Sequence, residues 1–457
     1  MTSVTQYRIY CTTEADWITA WSETPLTVCP NNNGHTVNAN SVQSINTVSS
    51  GQLEPSDNAA SDSFGRFRVS NPITLFSTKL LRQSKELTYL YDEDLISGSG
   101  ISSSTPTLNK PYIDITSTAS TAGHFIRQTR YSFDYRPGTS FLILMTGVMD
   151  LSGGGTGAER YFGYFNDDNG LYFCLKNGVF GVAHRTKDSG SVVSTEITQT
   201  NFNIDVMDGN GISGLTLDLT KSQIFVIDFQ WLSIGRVRYG VDINGLILYF
   251  HSISFANNQN IPYMATSNLP LRHEMVTTAS TPATSMRVIC SSVIIEGTYN
   301  PPVYLLNIST NGSFVNANST SNIYILKAVR LKTGFEGASV SLRSVSLLAA
   351  TPDGFEWYIL LNPTYSGTLT FSNVSDSACQ EATGDTANNP SNTTVTTTNF
   401  IIASGFGNET TQNIDITSKL RLGTKIDGTQ DVFVLAVRPL SANLDIYGSM
   451  ILNEIFV

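Results

Sequence analysis

Charged side chains are scarce in this chain. Of its 457 residues, 27 are Lys or Arg and 37 are Asp or Glu, so charged residues make up 14% and the net charge is −10. Ordinary globular domains have about 25% charged residues. Because Lys and Arg drive binding to the phosphate backbone, the acidic balance and the lack of a Lys/Arg cluster predict no nucleic-acid partner. The Ser, Thr, Asn and Gly that replace the charges favour strands and turns over long helices.

Cysteine is also rare, and no C-x-x-C pair occurs. The five cysteines are Cys11, Cys29, Cys174, Cys290 and Cys379. Their wide spacing indicates neither a zinc site nor a disulfide framework. We expect isolated buried thiols, and a Cys11–Cys29 disulfide is the alternative in an oxidising environment.

Long apolar runs are missing as well. No stretch of about 18 apolar residues occurs, so we predict no membrane partner. The first residues, MTSVTQYRIYCTTEADW, lack a basic segment followed by an apolar run, so we expect no signal peptide and synthesis in the cytoplasm.

The motifs of common catalytic and metal sites do not occur. There is no H-E-x-x-H, H-x-x-x-H or G-x-S-x-G sequence, and the five histidines are far apart (His35, His124, His184, His251 and His273). We therefore predict no catalytic residue, no metal ligand and no cofactor, and we expect that the chain is not an enzyme. A carboxylate pair for glycoside hydrolysis on a tail spike is the enzymatic alternative.

Two groups of carboxylates are candidate Ca²⁺ ligands. The run Asp167-Asp168-Asn169-Gly170 offers oxygens, but it lacks the ligand spacing of an EF-hand loop. A plain turn is the favoured interpretation. Asp205, Asp208 and Asp218 are further carboxylates, and the sequence does not bring them together.

The clearest local pattern lies in residues 223–252. Apolar and polar residues alternate with a period of two, which predicts half-buried strands; the inward-facing residues are Phe225, Ile227, Phe229, Trp231, Val237, Tyr239, Val241 and Ile243. Asn244-Gly245 predicts a type I′ turn, because both central residues of that turn need φ > 0. The region therefore predicts a β-hairpin whose sheet packs on another sheet.

Similar short strands recur along the chain, separated by Gly, Asn, Asp and Pro. They predict an all-β chain with a large jelly-roll sandwich over residues 77–300 and a smaller β-sandwich over 301–457. Residues 1–76 are predicted to be an N-terminal arm with strands at 7–11 and 37–48. Within that arm, Trp17, Ile18 and Trp21 follow Glu14 and Asp16 at helical spacing, which predicts a short helix. Residues 378–393 are expected to form an exposed loop.

Three segments carry a resemblance to known proteins. They are DSFGRFRVSNPITLF (62–76), RYFGYFNDDNGLYFCLKNGVFGVAHR (160–185) and SGLTLDLTKSQIFVIDFQWLSIGRVRYGVDINGLILYFHS (213–252). They resemble virion structural proteins of tailed bacteriophages and, more loosely, of large DNA viruses. The last segment is also similar to the core of concanavalin A-like and laminin-G-like jelly rolls. The resemblance covers roughly residues 1–300 and implies an oligomeric assembly protein of the capsid or tail.

These observations predict a structural component of a virus particle: a capsid decoration, vertex or tail/fibre protein. Its expected location is the virion, and its expected partners are other virion proteins and further copies of itself. The alternative is a receptor- or glycan-binding module, with a host-surface glycan as partner. Tyr161, Tyr164 and Tyr172 are candidate stacking platforms for a sugar, although such alternating aromatics more often belong to a core.

Overall fold

A computed structural model gives the fold of the chain. It describes residues 4–22, 24–49, 52–53, 72–79, 92–107, 109–130, 132–133, 135–153, 156–297, 303–384, 393–408, 412–416, 420–441 and 443–455. These residues form 32 β-strands and one 3₁₀ turn (Gln199–Asn201), without an α-helix. The predicted all-β class is therefore confirmed. None of the described segments contains a helix of the length and apolarity needed to cross a membrane.

The N-terminal arm contains a small antiparallel sheet with strand order β2-β1-β3-β4. Its strands are β1 (Val4–Cys11), β2 (Asp16–Ser22), β3 (Val37–Ser49) and β4 (Gln52–Leu53). The predicted strands at 7–11 and 37–48 are confirmed as β1 and β3. Of the segment 62–76, which carries part of the resemblance, residues 62–71 lie outside the described residues and residues 72–76 are described.

The helix predicted around Trp17 is wrong, because those residues form β2. Strand β1 lies immediately before them, and a short turn with Ala15 at φ 56° brings β2 back antiparallel to β1. Tyr10 then pairs with Trp17, and their rings meet edge to face at 5.6 Å between centroids. Pairing along the whole of β2 outweighs a helical spacing that rests on three apolar residues.

Two antiparallel sheets form the central sandwich. Their strands are β5 (Pro72–Lys79), β6 (Asp92–Gly98), β7 (Ile101–Ser103), β8 (Ile113–Ser117), β9 (Gly123–Thr129), β10 (Ser140–Ser152), β11 (Ala158–Phe165), β12 (Gly170–Lys176), β13 (Val179–Thr186), β14 (Val193–Thr198), β15 (Gln223–Phe229), β16 (Arg236–Ile243), β17 (Leu246–Ser254), β18 (Leu271–Thr277) and β19 (Thr284–Glu296). The β10 sheet has the order β17-β16-β15-β10-β19-β8-β7, with β5 beside β19, and the β11 sheet has the order β14-β13-β12-β11-β18-β9-β6. One continuous apolar cluster fills the space between them, with Phe141, Phe162 and Phe229 fully buried.

The predicted hairpin is confirmed by β16 and β17. Asn244 and Gly245 have φ of 57° and 80°, as a type I′ turn requires. The preceding strand β15 differs from the prediction, because its second face is also buried. There Asp228 is fully buried, and its carboxylate accepts hydrogen bonds from Arg238 and from Tyr249 Oη, the latter at 2.6 Å. Burial of Asp228 therefore does not leave its carboxylate unsatisfied.

The C-terminal sandwich also has two antiparallel sheets. Its strands are β20 (Tyr304–Ser309), β21 (Val315–Ala317), β22 (Ile323–Leu331), β23 (Ser339–Ala349), β24 (Phe355–Leu361), β25 (Thr364–Tyr365), β26 (Ser372–Asn373), β27 (Cys379–Thr383), β28 (Thr394–Thr397), β29 (Phe400–Gly407), β30 (Gln412–Asp415), β31 (Val432–Pro439) and β32 (Leu444–Ile455). The β32 sheet has the order β20-β32-β23-β30 with β21 beside β32. The β22 sheet has the order β25-β28-β22-β31-β24-β29, with β27 beside β22 and β26 beside β27. A second apolar cluster lies between these sheets.

The prediction of an exposed loop over residues 378–393 is wrong for residues 378–383. Cys379 begins β27 and is fully buried, as is Ala378 before it. The buried carboxylate of Glu454 accepts hydrogen bonds from the Ala378 amide at 2.5 Å and from Ser377 Oγ at 2.8 Å, which fixes the entry to this strand. Residues 385–392 lie outside the described segments.

Polar contacts join the three units. Arg130 and Asp431 form a buried ion pair between the central and C-terminal sandwiches. The Asn268 side chain donates to the Gly337 carbonyl at 3.4 Å, and Arg8 of the first sheet donates to the Ile212 carbonyl at 3.2 Å. The domain boundaries predicted at 76/77 and 300/301 stay predictions. Strand β5 spans the boundary at 76/77.

Candidate functional site

The acidic run after β11 is a turn held by neighbouring cations. Arg272 lies 2.5 Å from Asp167, and Lys187 lies 3.0 Å from Asp168. Asn169 is buried, and its side-chain oxygen accepts the Ala265 amide at 2.9 Å. Because both carboxylates already face positive side chains, the geometry favours a turn over a Ca²⁺ site.

Asp205, Asp208 and Asp218 each stabilise their own loop. Asp205 is buried and accepts the amides of Met207 at 2.7 Å and Ser213 at 2.6 Å. The carboxylates of Asp208 and Asp218 each accept a hydrogen bond from the backbone amide two residues later in the chain, both at 2.9 Å. These are Asx-type turns, so each carboxylate has a local structural role.

The three candidate tyrosines are buried and provide no exposed stacking platform. Tyr164 and Tyr172 are fully buried, and Tyr161 is 6% exposed. Tyr164 points into the core between the sheets, whereas Tyr161 and Tyr172 pack together on the other side of the β11 sheet. The interpretation that these three tyrosines are buried packing residues is therefore confirmed. The β11 sheet buries aromatic residues on both of its faces.

The outward side of the β11 sheet carries charged residues over this aromatic floor. We call it the charged face, and it contains His124, Gln128, Glu159, Lys176, Arg185, Glu196, Arg272 and Glu274. Lys176 lies 2.6 Å from Glu196, and His124 lies 2.7 Å from Glu274. Arg185 stands over the Tyr172 ring at 5.1 Å. The face thus presents hydrogen-bonding groups that are held in place by ion pairs and ring contacts.

Ionisation on the charged face follows these pairings. The hydrogen bond to Glu274 raises the pKa of His124 above its usual value. Burial, assisted by the hydrogen bond to Glu159, raises the pKa of Tyr161 far above its usual range, so its hydroxyl stays protonated. The arrangement is suited to binding a polar, uncharged ligand through donors and acceptors.

One cluster of metal-ligand side chains occurs among the described residues, and it lies in the N-terminal arm. The ligand atoms of Cys11, Glu14, Cys29 and His35 all lie within 4.8 Å of one another. His35 Nδ1 is 2.7 Å from Glu14 Oε1 and 3.8 Å from Cys11 Sγ. The sequence did not reveal this cluster, because its residues come from two different loops and form no C-x-x-C motif. The other four histidines lie outside it.

Two terminal strands of the C-terminal sandwich expose apolar side chains. Strand β29 ends the β22 sheet, and its Phe406 and Ile401 are 70% and 44% exposed. Strand β20 ends the β32 sheet, and its Leu305 is 57% exposed. Neither strand contains a charged residue or a proline. We call β20 and β29 the apolar edges.

No family model matches the chain, and no curated protein sequence matches it. Several solved structures share a similar arrangement over about half of the chain. An endo-1,3-beta-glucanase from Streptomyces sioyaensis is 11% identical, with 50% of this chain and 97% of that chain covered and a TM-score of 0.34.

Two further similar structures come from a phage protein and from a lectin-like domain. The CBM2 module of the evolved Dit of Lactobacillus casei BL23 phage J-1 is 6% identical, with 50% and 99% covered and a TM-score of 0.31. A legume lectin-like domain from Entamoeba histolytica is 12% identical, with 50% and 98% covered and a TM-score of 0.27. At such TM-scores these similarities carry no argument about what this chain binds or does.

Proposed function

We propose that the chain is a structural component of a virus particle, such as a capsid decoration, vertex or tail/fibre protein, that assembles through its β-sandwiches. The observation that carries this proposal is the pair of apolar edges. An edge strand presents a row of backbone donors and acceptors to any strand that approaches it. Proteins that stay monomeric protect such edges with lysine, proline, bulges or a covering segment.

Strand β29 has one of these features, a bulge at Ile402 in its pairing with β24, and lacks two others. Its sequence, FIIASGFG, contains neither lysine nor proline, and Phe406 keeps 70% of its surface exposed. Pairing with a strand of another copy would engage the backbone groups on the outer side of β29 and bury the aromatic ring at the same time. The expected partner is therefore a second copy of this chain, within a homo-oligomer that also contacts other virion proteins.

The resemblance of residues 62–76, 160–185 and 213–252 to virion structural proteins supports the particle as the place of assembly. Scarce charge fits the same role, because a subunit buried between neighbours needs fewer charged groups than a free protein does.

The oligomeric state of the purified chain tests the proposal. We expect the wild-type chain to sediment as an oligomer, and a variant with Phe406→Lys and Ile401→Lys to shift toward monomer, since charge on an edge opposes strand pairing. Ile261→Lys is the matched control, because Ile261 is 48% exposed in a loop away from the edges. A wild-type chain that is monomeric at micromolar concentration would contradict assembly through these edges.

The location on a particle needs a separate measurement. Tryptic cleavage after Lys221 and Arg236 releases the peptide of residues 222–236, SQIFVIDFQWLSIGR. We expect quantitative mass spectrometry of purified particles to find this peptide in a fixed ratio to the major capsid protein. Its loss on density-gradient purification would argue against a structural role.

The charged face favours glycan binding as a second candidate function. Its paired side chains offer donors and acceptors in fixed positions above an aromatic floor, which is the arrangement of a polar recognition site. A host-surface glycan is the ligand that this chemistry fits, and we expect binding without cleavage.

A glycan array tests this second candidate. We expect one class of host-surface glycan to bind the wild-type chain and to lose binding in Lys176→Ala, which removes the cation beside Glu196. Lys221→Ala serves as the control, because Lys221 is exposed in the loop before β15 of the β10 sheet. Signals at background level, or equal loss in both variants, would remove this candidate.

A further inference from the structure

Two distances in the cluster of the N-terminal arm match those of a tetrahedral zinc site. Zinc bonds of about 2.3 Å to sulfur and 2.0 Å to nitrogen place neighbouring ligand atoms about 3.3–3.8 Å apart. Cys11 Sγ and His35 Nδ1 are 3.8 Å apart, and Cys29 Sγ and Glu14 Oε1 are 3.6 Å apart. His35 and Glu14 are closer, at 2.7 Å, where they share a proton. A zinc ion would take the place of that proton with a shift of about half an ångström.

The fold brings these four residues together from two loops. Cys11 ends β1, and Glu14 lies in the turn between β1 and β2. Cys29 and His35 lie in the connection between β2 and β3, which is irregular over residues 24–36. Both cysteines are fully buried, whereas Glu14 and His35 keep about a quarter of their side chains exposed, at 26% and 28%. Solvent can therefore reach the cluster from one side, which gives an ion a path of entry.

A cross-link would stabilise the first sheet, which is small and has four strands. Ile9, Cys11 and Cys29 are buried among the side chains that the structure describes there. Sheets this small are usually stabilised by a disulfide, a metal ion or a partner surface. The irregular connection has no strand pairing of its own, so a bond between Cys29 or His35 and the β1–β2 turn would fix its path.

A neighbouring side chain orients the carboxylate. Asn31 Nδ2 donates to Glu14 Oε2 at 2.9 Å and leaves Oε1 directed at the cluster. Such outer contacts position metal ligands in known sites.

We propose that Cys11, Glu14, Cys29 and His35 bind one Zn²⁺ ion, which ties the 24–36 connection to the β1–β2 turn. Two thiolates and an imidazole are ligands that zinc prefers, and they exclude Ca²⁺ and Mg²⁺, which bind through oxygen. The ion would neutralise two of the three negative charges that the thiolates and carboxylate carry. This site is independent of the proposed assembly function.

Metal analysis of the full chain tests the site. We expect the protein purified without a histidine tag to retain about one zinc ion per chain after dialysis, and to lose it in Cys11→Ser, Cys29→Ser and His35→Asn. The zinc affinity of each variant should fall by about tenfold or more. Cys290→Ser is the matched control, because Cys290 lies on β19 of the central sandwich and should leave the zinc content unchanged.

Cobalt substitution gives a readout that does not require the variants to fold. After removal of zinc, Co²⁺ added to the wild-type chain should produce the visible absorption of a tetrahedral ion and thiolate-to-metal charge transfer in the near ultraviolet. An octahedral spectrum, or an unchanged one, would overturn the proposal.

The competing disulfide predicts a different result. A Cys11–Cys29 bond would leave three of the five thiols titratable in the denatured chain, whereas the zinc site leaves all five. A count of three with no bound metal in freshly purified protein, kept without added reductant, would overturn the proposal. Equal metal content in Cys29→Ser and Cys290→Ser would show adventitious binding and would also overturn it.

Discussion

A buried histidine makes the stability of the central sandwich depend on pH. His273 on β18 is 4% exposed, and its Nε2 has no hydrogen-bond partner in the described part of the chain. Its ring packs edge to face on Phe162 at 4.8 Å between centroids. Burial, together with the nearby Arg127 guanidinium, lowers the pKa of His273 to about 3. The folded protein therefore keeps this imidazole neutral in mildly acidic solution.

The sign and size of the effect follow from linkage. In the unfolded chain the pKa of histidine is about 6.5, so between pH 6.5 and the folded pKa only the unfolded state takes up the proton. The stability contribution is complete above about pH 6.5 and is lost as the pH falls toward the folded value. Each pH unit in this window costs about 1.4 kcal/mol, so the loss from pH 7 to pH 4 is about 3 kcal/mol.

Urea unfolding of the wild-type chain, His273→Phe and His273→Gln at pH 7 and pH 4 measures this loss. We expect the unfolding free energy of the wild type, relative to either variant, to fall by about 3 kcal/mol between the two pH values. A change in packing alters the unfolding free energy of a variant by the same amount at both pH values. It therefore cancels when the two pH values are compared. A difference that does not change with pH would refute the argument that His273 is buried in its neutral form.

Three further predictions concern single contacts in the central sandwich. Asp228→Ala should lower the unfolding free energy by about 3–5 kcal/mol in urea titrations, because Arg238 is left as a buried charge without its carboxylate. The pKa of His124, followed by NMR, should lie above the usual value and fall in Glu274→Gln; this pair stabilises the fold at low pH, and its contribution disappears as the pH rises through the folded pKa. Gly245→Ala should cost about 1 kcal/mol in the same titrations, because its φ of 80° disfavours a Cβ.

Much of the fold follows from local sequence patterns. The hairpin of β16 and β17 could be predicted because alternation and the Asn244-Gly245 turn are both encoded within a few residues. Trp17 shows the limit of this approach, because three apolar residues at helical spacing were outweighed by pairing with the neighbouring strand β1. The second buried face of β15 also escaped prediction, since Asp228 looks like a solvent-facing residue until Arg238 and Tyr249 lie beside it.

The candidate sites depended on tertiary structure to a much greater degree. Composition alone indicated an all-β chain with few charges, because strand and turn preferences act over a few residues at a time. It did not indicate that Cys11 and His35 would meet, or that Tyr161 would be covered, because these outcomes depend on how separate loops and sheets pack. Alternation records which side of a strand a residue occupies. What lies against that side is set by contacts between residues that are distant in the chain.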